Sequence, residues 1–208
     1  IGVAVQADAV HLLEVPALFA LVPQALAAAA EIHRLATRGR LRQRLAAAAM
    51  ASKAGLPLNM DAWDGYPAAR ERVFKAALAA DANLIVLAGD THNGWAFDLT
   101  QDGAKVGVEL GVCSVSSPGF ESYLSTIKPD VLAAALVAEN EQLKWADTGS
   151  RGYMTVNLTQ EKATSHWHAM RTIREQSTEL AGTESRSVLP GRKTISEPGW
   201  SRWSHAIW

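Results

Sequence analysis

Five consecutive apolar residues, Leu84-Ile85-Val86-Leu87-Ala88, run directly into Gly89-Asp90-Thr91-His92-Asn93-Gly94, and no other stretch constrains the fold so tightly. A short apolar run bounded by glycine reads as a strand buried on both faces, so polar chemistry is expected at its carboxyl end. Ligands of open α/β sheets gather at that end. Asp90 and His92 stand there, two residues apart, and can face the same side of an extended turn. A carboxylate suits hard cations and an imidazole suits transition metals, so the pair is able to serve a mixed metal site. Asp-x-His is also short enough to arise by chance, and a turn in which Asp90 caps the backbone while His92 packs nearby accounts for the same residues.

The rest of the composition narrows the partners. Twenty basic against 21 acidic residues give a net charge of −1, with no basic stripe for a phosphate backbone, so no nucleic-acid partner is expected. With 48% hydrophobic and 20% charged residues the chain reads as globular. The single cysteine, Cys113, excludes an internal disulfide framework and a multi-cysteine zinc site. The apolar stretch Val15 to Ala30 is broken by Pro16, Pro23 and Gln24 and is too short for a membrane span. Ile1 in place of methionine points to an upstream segment and leaves localisation open.

Three regions are expected. Residues 1–55 are alanine-rich, with Arg34, Arg38, Arg40, Arg42 and Arg44, and read as one or two helices with a solvated basic face. Residues 56–170 hold most of the signal. Asp61, Trp63, Asp64 and Tyr66 form a turn cluster, packed or site-lining, before a helix opened by Pro67. That helix buries Val73, Phe74, Ala77 and Leu78 and turns Arg70, Glu71, Arg72 and Lys75 outward. After the Asp90 turn, Trp95, Phe97 and Leu99 alternate up to an Asp102-Gly103 hairpin, and Val106, Val108, Leu110 and Val112 alternate beyond it, with Glu109 between Gly107 and Gly111.

The loop Ser114 to Glu121 can return to Asp90, where Ser117 is a candidate for binding substrate oxygens; turn formation explains its composition equally well. A helix from Pro129 buries Val131, Leu132, Ala135 and Leu136. A second hairpin joins Tyr153–Leu158 to Ala163–Met170 and puts His166 and His168 on one face, either as a metal pair or as the polar side of an edge strand. Residues 171–208 show no period and read as a poorly ordered polar tail, in which Trp200, Trp203 and Trp208 have no physical explanation.

Several separated blocks, in order, resemble the C-terminal half of the alkaline phosphatase D (PhoD-like) metallophosphatases. They are Asp61-Ala62-Trp63-Asp64-Gly65-Tyr66-Pro67 with Arg70-Glu71-Arg72, Leu84 to Asn93 with Trp95, Ser117-Pro118-Gly119-Phe120-Glu121, Leu143-Lys144-Trp145, and Arg151-Gly152-Tyr153-Met154. The resemblance runs from about Leu56 to Met170. It implies an α/β fold of α+β sandwich type: an incomplete calcineurin-like metallophosphatase fold, preceded by the alanine-rich helical segment, with two sheets face to face between helices.

The resemblance further implies hydrolysis of phosphate monoesters or diesters by a two-metal site holding calcium and iron, in a periplasmic or secreted enzyme. Asp90 and His92 match the family's last metal motif, with Asn93, Trp95, Asp61, Trp63, Asp64 and Ser117 as possible site-lining residues. The family's earlier ligand motifs have no counterpart before Asp61. Two side chains cannot satisfy two metals, so the partners implied are a phosphate ester and the missing N-terminal half of the domain, and the chain by itself is expected to be inactive. Two other readings stay open: a non-catalytic remnant or binding module on the same scaffold, and an unrelated α/β domain in which Asp90 and His92 are structural.

Overall fold

The computed structural model describes residues 62–196. Asp61, the alanine-rich segment and the three C-terminal tryptophans lie outside the described residues. A 3-10 turn, Trp63–Gly65, leads into helix α1, Pro67–Ala79, with Pro67 in the first turn where its missing N–H costs nothing. Helix α1 buries Phe74 and Ala77 and leaves Val73 and Leu78 partly covered, as the helical spacing predicts. Burial of one such aromatic is worth roughly 1.5–3 kcal/mol.

Strands β1 (Leu84–Ala88), β2 (Gly94–Gln101), β3 (Ala104–Gly111) and β4 (Leu143–Asp147) form one sheet in the order β1-β3-β2-β4. Between β3 and β4 lie a short helix, α2 (Phe120–Tyr123), and the longer α3 (Pro129–Glu139). Strand β1 runs parallel to β3, while β2 is antiparallel to both β3 and β4. The carboxyl ends of β1, β3 and β4 therefore share one edge with the start of β2, and register pairs Ala88 with Gly111, Trp95 with Gly111, and Gly94 with Asp147. The two strands of the predicted hairpin leave this edge and come back to it.

The second sheet has the order β5-β6-β7-β8, from Gly152–Leu158, Ala163–Met170, Leu180–Val188 and Ile195–Ser196. One core lies between the first sheet and the helices, around Phe74, Val86, Trp95, Phe97, Leu132 and Leu143. Another lies between the sheets, where Ala96, Val108 and Leu110 meet Ala163, Trp167 and Val188. Trp145 and Trp167 pack with ring centroids 4.7 Å apart, and the Trp167 indole N–H donates to the Gly111 carbonyl at 2.7 Å. Two packed sheets with few helices make a mixed α/β architecture.

Four expectations are corrected. Strand β1 is not buried on both faces: among the described residues it pairs with β3 alone, and Leu87 is 36% exposed. Helix α3 turns Val131 outward and buries Ala133 beside Leu132 and Leu136, because the residues that meet the sheet, not the largest ones, set its rotation. Residues 180–188 and 195–196 are strands, not a structureless tail. Strand β7 is too polar to show a period, yet it is held by a ladder to β6 broken only by a bulge at Ala181, and by Glu184 and Arg186, which pair with each other among buried surroundings. Finally, β6 is an interior strand, so His166 and His168 are not on an edge.

Candidate functional site

The turn after β1 departs from ordinary backbone geometry. Asp90 has φ 65° and His92 has φ 61°, both in the left-handed region that non-glycine residues avoid at a cost of order 1–3 kcal/mol. Thr91, between them, is fastened on every side. Its N–H donates to the Gly89 carbonyl at 2.7 Å, its carbonyl accepts from Asn93 Nδ2 at 2.6 Å, and its hydroxyl accepts from Trp95 Nε1 at 2.7 Å. Asn93 and Trp95 are fully buried, and the Trp95 ring packs edge-on against Phe120. These two predicted site-lining residues hold the turn from beneath. Strain of this kind, kept by its surroundings, gathers at functional sites.

The loop from Ser114 to Glu121 does return to the turn, as its composition allows. His92 Nδ1 lies 2.8 Å from the Pro118 carbonyl oxygen, and the Phe120 N–H donates to Asn93 Oδ1 at 3.2 Å. A carbonyl only accepts, so Nδ1 carries a proton, and in the neutral ring the lone pair is then on Nε2. Metal-binding histidines are oriented in this way, with the second ring nitrogen donating to a carbonyl or carboxylate. Asp90 is exposed and makes no hydrogen bond to any described residue, so it does not cap the backbone. The approach at Gly119 is close: a Cβ there would sit 2.7 Å from both Asn93 Oδ1 and the His92 carbonyl oxygen.

Glu121 closes the loop. Its Oε1 accepts from Ser122 Oγ at 2.9 Å and from the Gly119 N–H at 3.2 Å, and pairs with Arg151, which is 8% exposed. Burial pushes the Glu121 carboxyl up, but the Ser122 and backbone hydrogen bonds and the Arg151 charge outweigh it and hold it below the usual carboxylate range. The pair was not legible as such, since the two residues are 30 positions apart. Ser117 uses its carbonyl to accept from Ser114 Oγ at 2.5 Å and is otherwise exposed, so it braces the loop through its backbone.

The remaining candidates fall elsewhere. Trp63 lines a small cavity with Arg70, Val73, Phe74, Val86, Leu99 and Glu109, and Asp64 lies in the 3-10 turn beside it. Arg70 thus faces this cavity and does not join the solvent face assigned to it. Glu109 is 1% exposed, its Oε1 has no hydrogen-bond partner, and burial pushes its pKa up to about 8 against the opposing charge of Arg70. His166 Nδ1 is bonded to Ser185 Oγ at 2.7 Å, and both nitrogens of His168 are engaged, by Thr155 at 3.0 Å and Thr183 at 3.1 Å. Those bonds tie strands together and leave the pair poorly suited to a metal. Burial, then Asp147, pushes the Cys113 thiol up to about 11, which makes it an inert core residue. Among the described residues no group of three or more His, Cys, Asp or Glu is placed to hold a metal ion.

Known proteins are similar to this chain over part of its length. Alkaline phosphatase D of Bacillus subtilis (strain 168) is 30% identical over 123 residues, 56% of this chain and 20% of that protein. The solved structure of PhoD superposes with a TM-score of 0.56 at 21% identity, covering 72% of this chain and 28% of that one, a likeness of fold. The chain thus spans about a fifth of its curated relative. The model of the PhoD-like phosphatase family matches residues 24–167, beginning well upstream of Leu56 and so taking in part of the alanine-rich segment. On that match, which extends over more than half of its length, the chain belongs to the PhoD-like phosphatase family.

Proposed function

We propose that this chain contributes the strand-end turn of a phosphoester-hydrolysing site on a calcineurin-like scaffold, with Asp90 and His92 as two donors of a two-metal centre. The observation that carries the reading is the orientation of His92: its Nδ1–H is committed to Pro118, so the neutral ring keeps its lone pair on Nε2, while two residues earlier in the same turn the exposed Asp90 carboxylate has no hydrogen-bond partner among the described residues. One carboxylate and one imidazole fit calcium and iron as part of a donor set, not as a whole one. The other donors come from outside the described residues. Metals there would supply charge neutralisation for the phosphoryl oxygens and activation of water for in-line attack on a phosphate monoester or diester.

The chain's own residues contribute orientation. Trp95 and Asn93 fix Thr91, and through it the two strained residues on either side, so the donors are placed before any ligand arrives. The test is hydrolysis of bis-p-nitrophenyl phosphate with calcium and iron present. The chain alone should show negligible turnover, and the chain joined to the upstream part of a family member should be active. In the joined protein His92→Ala should cost more than the roughly 10–100-fold that follows loss of a group supporting a ligand. Unchanged kinetics for His92→Ala, or ordinary enzymatic rates from the chain alone, would overturn the proposal.

A further inference from the structure

We infer that the Glu121–Arg151 ion pair is a positioning clamp for His92, holding the Pro118 carbonyl where it selects the Nδ1–H form of the imidazole. This inference rests on the reading of His92 as a metal donor. The loop that carries Pro118 has little apolar anchorage of its own: Val115 is 70% exposed, and Ser116, Ser117 and Pro118 are exposed as well. Its shape is set by polar pins, supplied at both ends by two adjacent residues, Gly152 at the start of β5 and Arg151 just before it. The Gly152 N–H donates to the Ser114 carbonyl at 3.1 Å, while the Arg151 guanidinium holds Glu121.

Arg151 is itself immobilised. Its carbonyl accepts from the Met170 N–H at 2.8 Å, and its guanidinium also donates to the Ser150 carbonyl at 2.7 Å. Glu121 passes this rigidity on through the Gly119 N–H, the peptide that follows Pro118. Gly119 packs so closely on the turn that a Cβ there would lie 2.7 Å from the His92 carbonyl oxygen and from Asn93 Oδ1, and this close packing is the route by which Glu121 fixes the backbone beside His92. An imidazole without a partner exchanges between its two neutral forms, and only the Nδ1–H form leaves Nε2 able to bind a cation. Arg151, just before β5, and Glu121, in α2, are therefore positioning residues that act on His92 through the loop.

The experiment is ¹⁵N NMR of the histidine side chains in the full 208-residue chain at about pH 8, where an ordinary imidazole is neutral, followed by a Zn²⁺ titration read at His92. The unaltered chain should show a protonated Nδ1 and a bare Nε2 at His92. Arg151→Met and Glu121→Gln should convert this to a mixture of both forms and weaken Zn²⁺ binding about tenfold or more, while Arg151→Lys, which keeps the cation, restores much of the original spectrum. A single unchanged Nδ1–H form in Arg151→Met or Glu121→Gln, with a cooperative thermal melt, overturns the clamp. An Nε2–H form in the unaltered chain does so as well, whether or not the variants fold. An Nδ1–H imidazole that scrambles in the variants yet never engages metal in the joined enzyme would instead refute the phosphoesterase reading and leave the clamp standing.

Discussion

Glu109 gives the sharpest test of the energetics. Its carboxyl is 1% exposed in the core beneath α1, its Oε1 is unpartnered, and burial, partly offset by the charge of Arg70, raises its pKa from 4.5 to about 8. In the unfolded chain the group ionises near 4.5. Between these values the folded state keeps a proton that the unfolded state has released, so fewer protons are bound on unfolding and stability falls as pH rises. The slope approaches about 1.4 kcal/mol per pH unit, and the loss accumulates to roughly 4–5 kcal/mol by pH 8. Glu109→Gln removes the titration while keeping the shape. Urea unfolding of both chains, in steps from about pH 5 to about pH 8.5, should show the unaltered chain losing stability across the window relative to the variant. Arg70→Met, which removes the opposing charge, should extend the fall to higher pH. Parallel profiles for the unaltered chain and Glu109→Gln would refute the assignment of Glu109 as a neutral buried acid.

Other substitutions probe the turn and the sheet. Asp90→Gly should stabilise the chain by about 1 kcal/mol, because it relieves a left-handed non-glycine backbone; a destabilised melt would show that Asp90 makes a contact its exposure does not suggest. Gly107→Ala should cost 3 kcal/mol or more, on the order of the severe end of overpacking, since its Cβ would lie 2.1 Å from the Leu84 carbonyl oxygen of the paired strand; a near-normal melting temperature would contradict the β1–β3 register. Cys113, buried and pushed up to about 11, should react with a disulfide reagent at about pH 8 only on unfolding. Rapid labelling of the native chain would place the thiol in a different setting.

The elements legible in the sequence are those whose apolar residues recur at a regular helix or strand period. Helix α1, the β2–β3 hairpin and the β5–β6 hairpin each show such a period, and each forms close to its expected bounds, although β2 and β3 are buried on both faces. Strand β1 was located correctly, but its apolar run hid its place in the sheet, because Leu84 to Ala88 would look the same at an edge or in the middle. Strand β7 escaped notice for the opposite reason. Its buried positions include Glu184, and a charge neutralised by a partner two residues away, Arg186, has the same one-letter appearance as a charge in water. Glu109 posed the same difficulty: its flanking glycines signalled close backbone approach, and nothing in the sequence signalled burial of its carboxyl.

At the site, the residue types were legible and their division of labour was not. Asp90, His92, Asn93 and Trp95 form one short motif, yet the first two have left-handed backbone and leave the Asp90 carboxylate and His92 Nε2 without hydrogen-bond partners among the described residues, whereas the last two are buried and spend their polar atoms on Thr91 and Phe120. That split follows from where the motif sits. Asn93 precedes β2, and Trp95 belongs to it and is drawn into the core by its period, which leaves Thr91 as the hinge between a rigid strand and an exposed turn. A turn built in this way holds its geometry only while something outside it fixes the far side of His92. Here that is the Pro118 carbonyl, on a loop pinned from the second sheet. On the inference drawn above, a substitution at Arg151 or Gly152, where the second sheet begins, reaches His92 through the 114–121 loop without touching the imidazole.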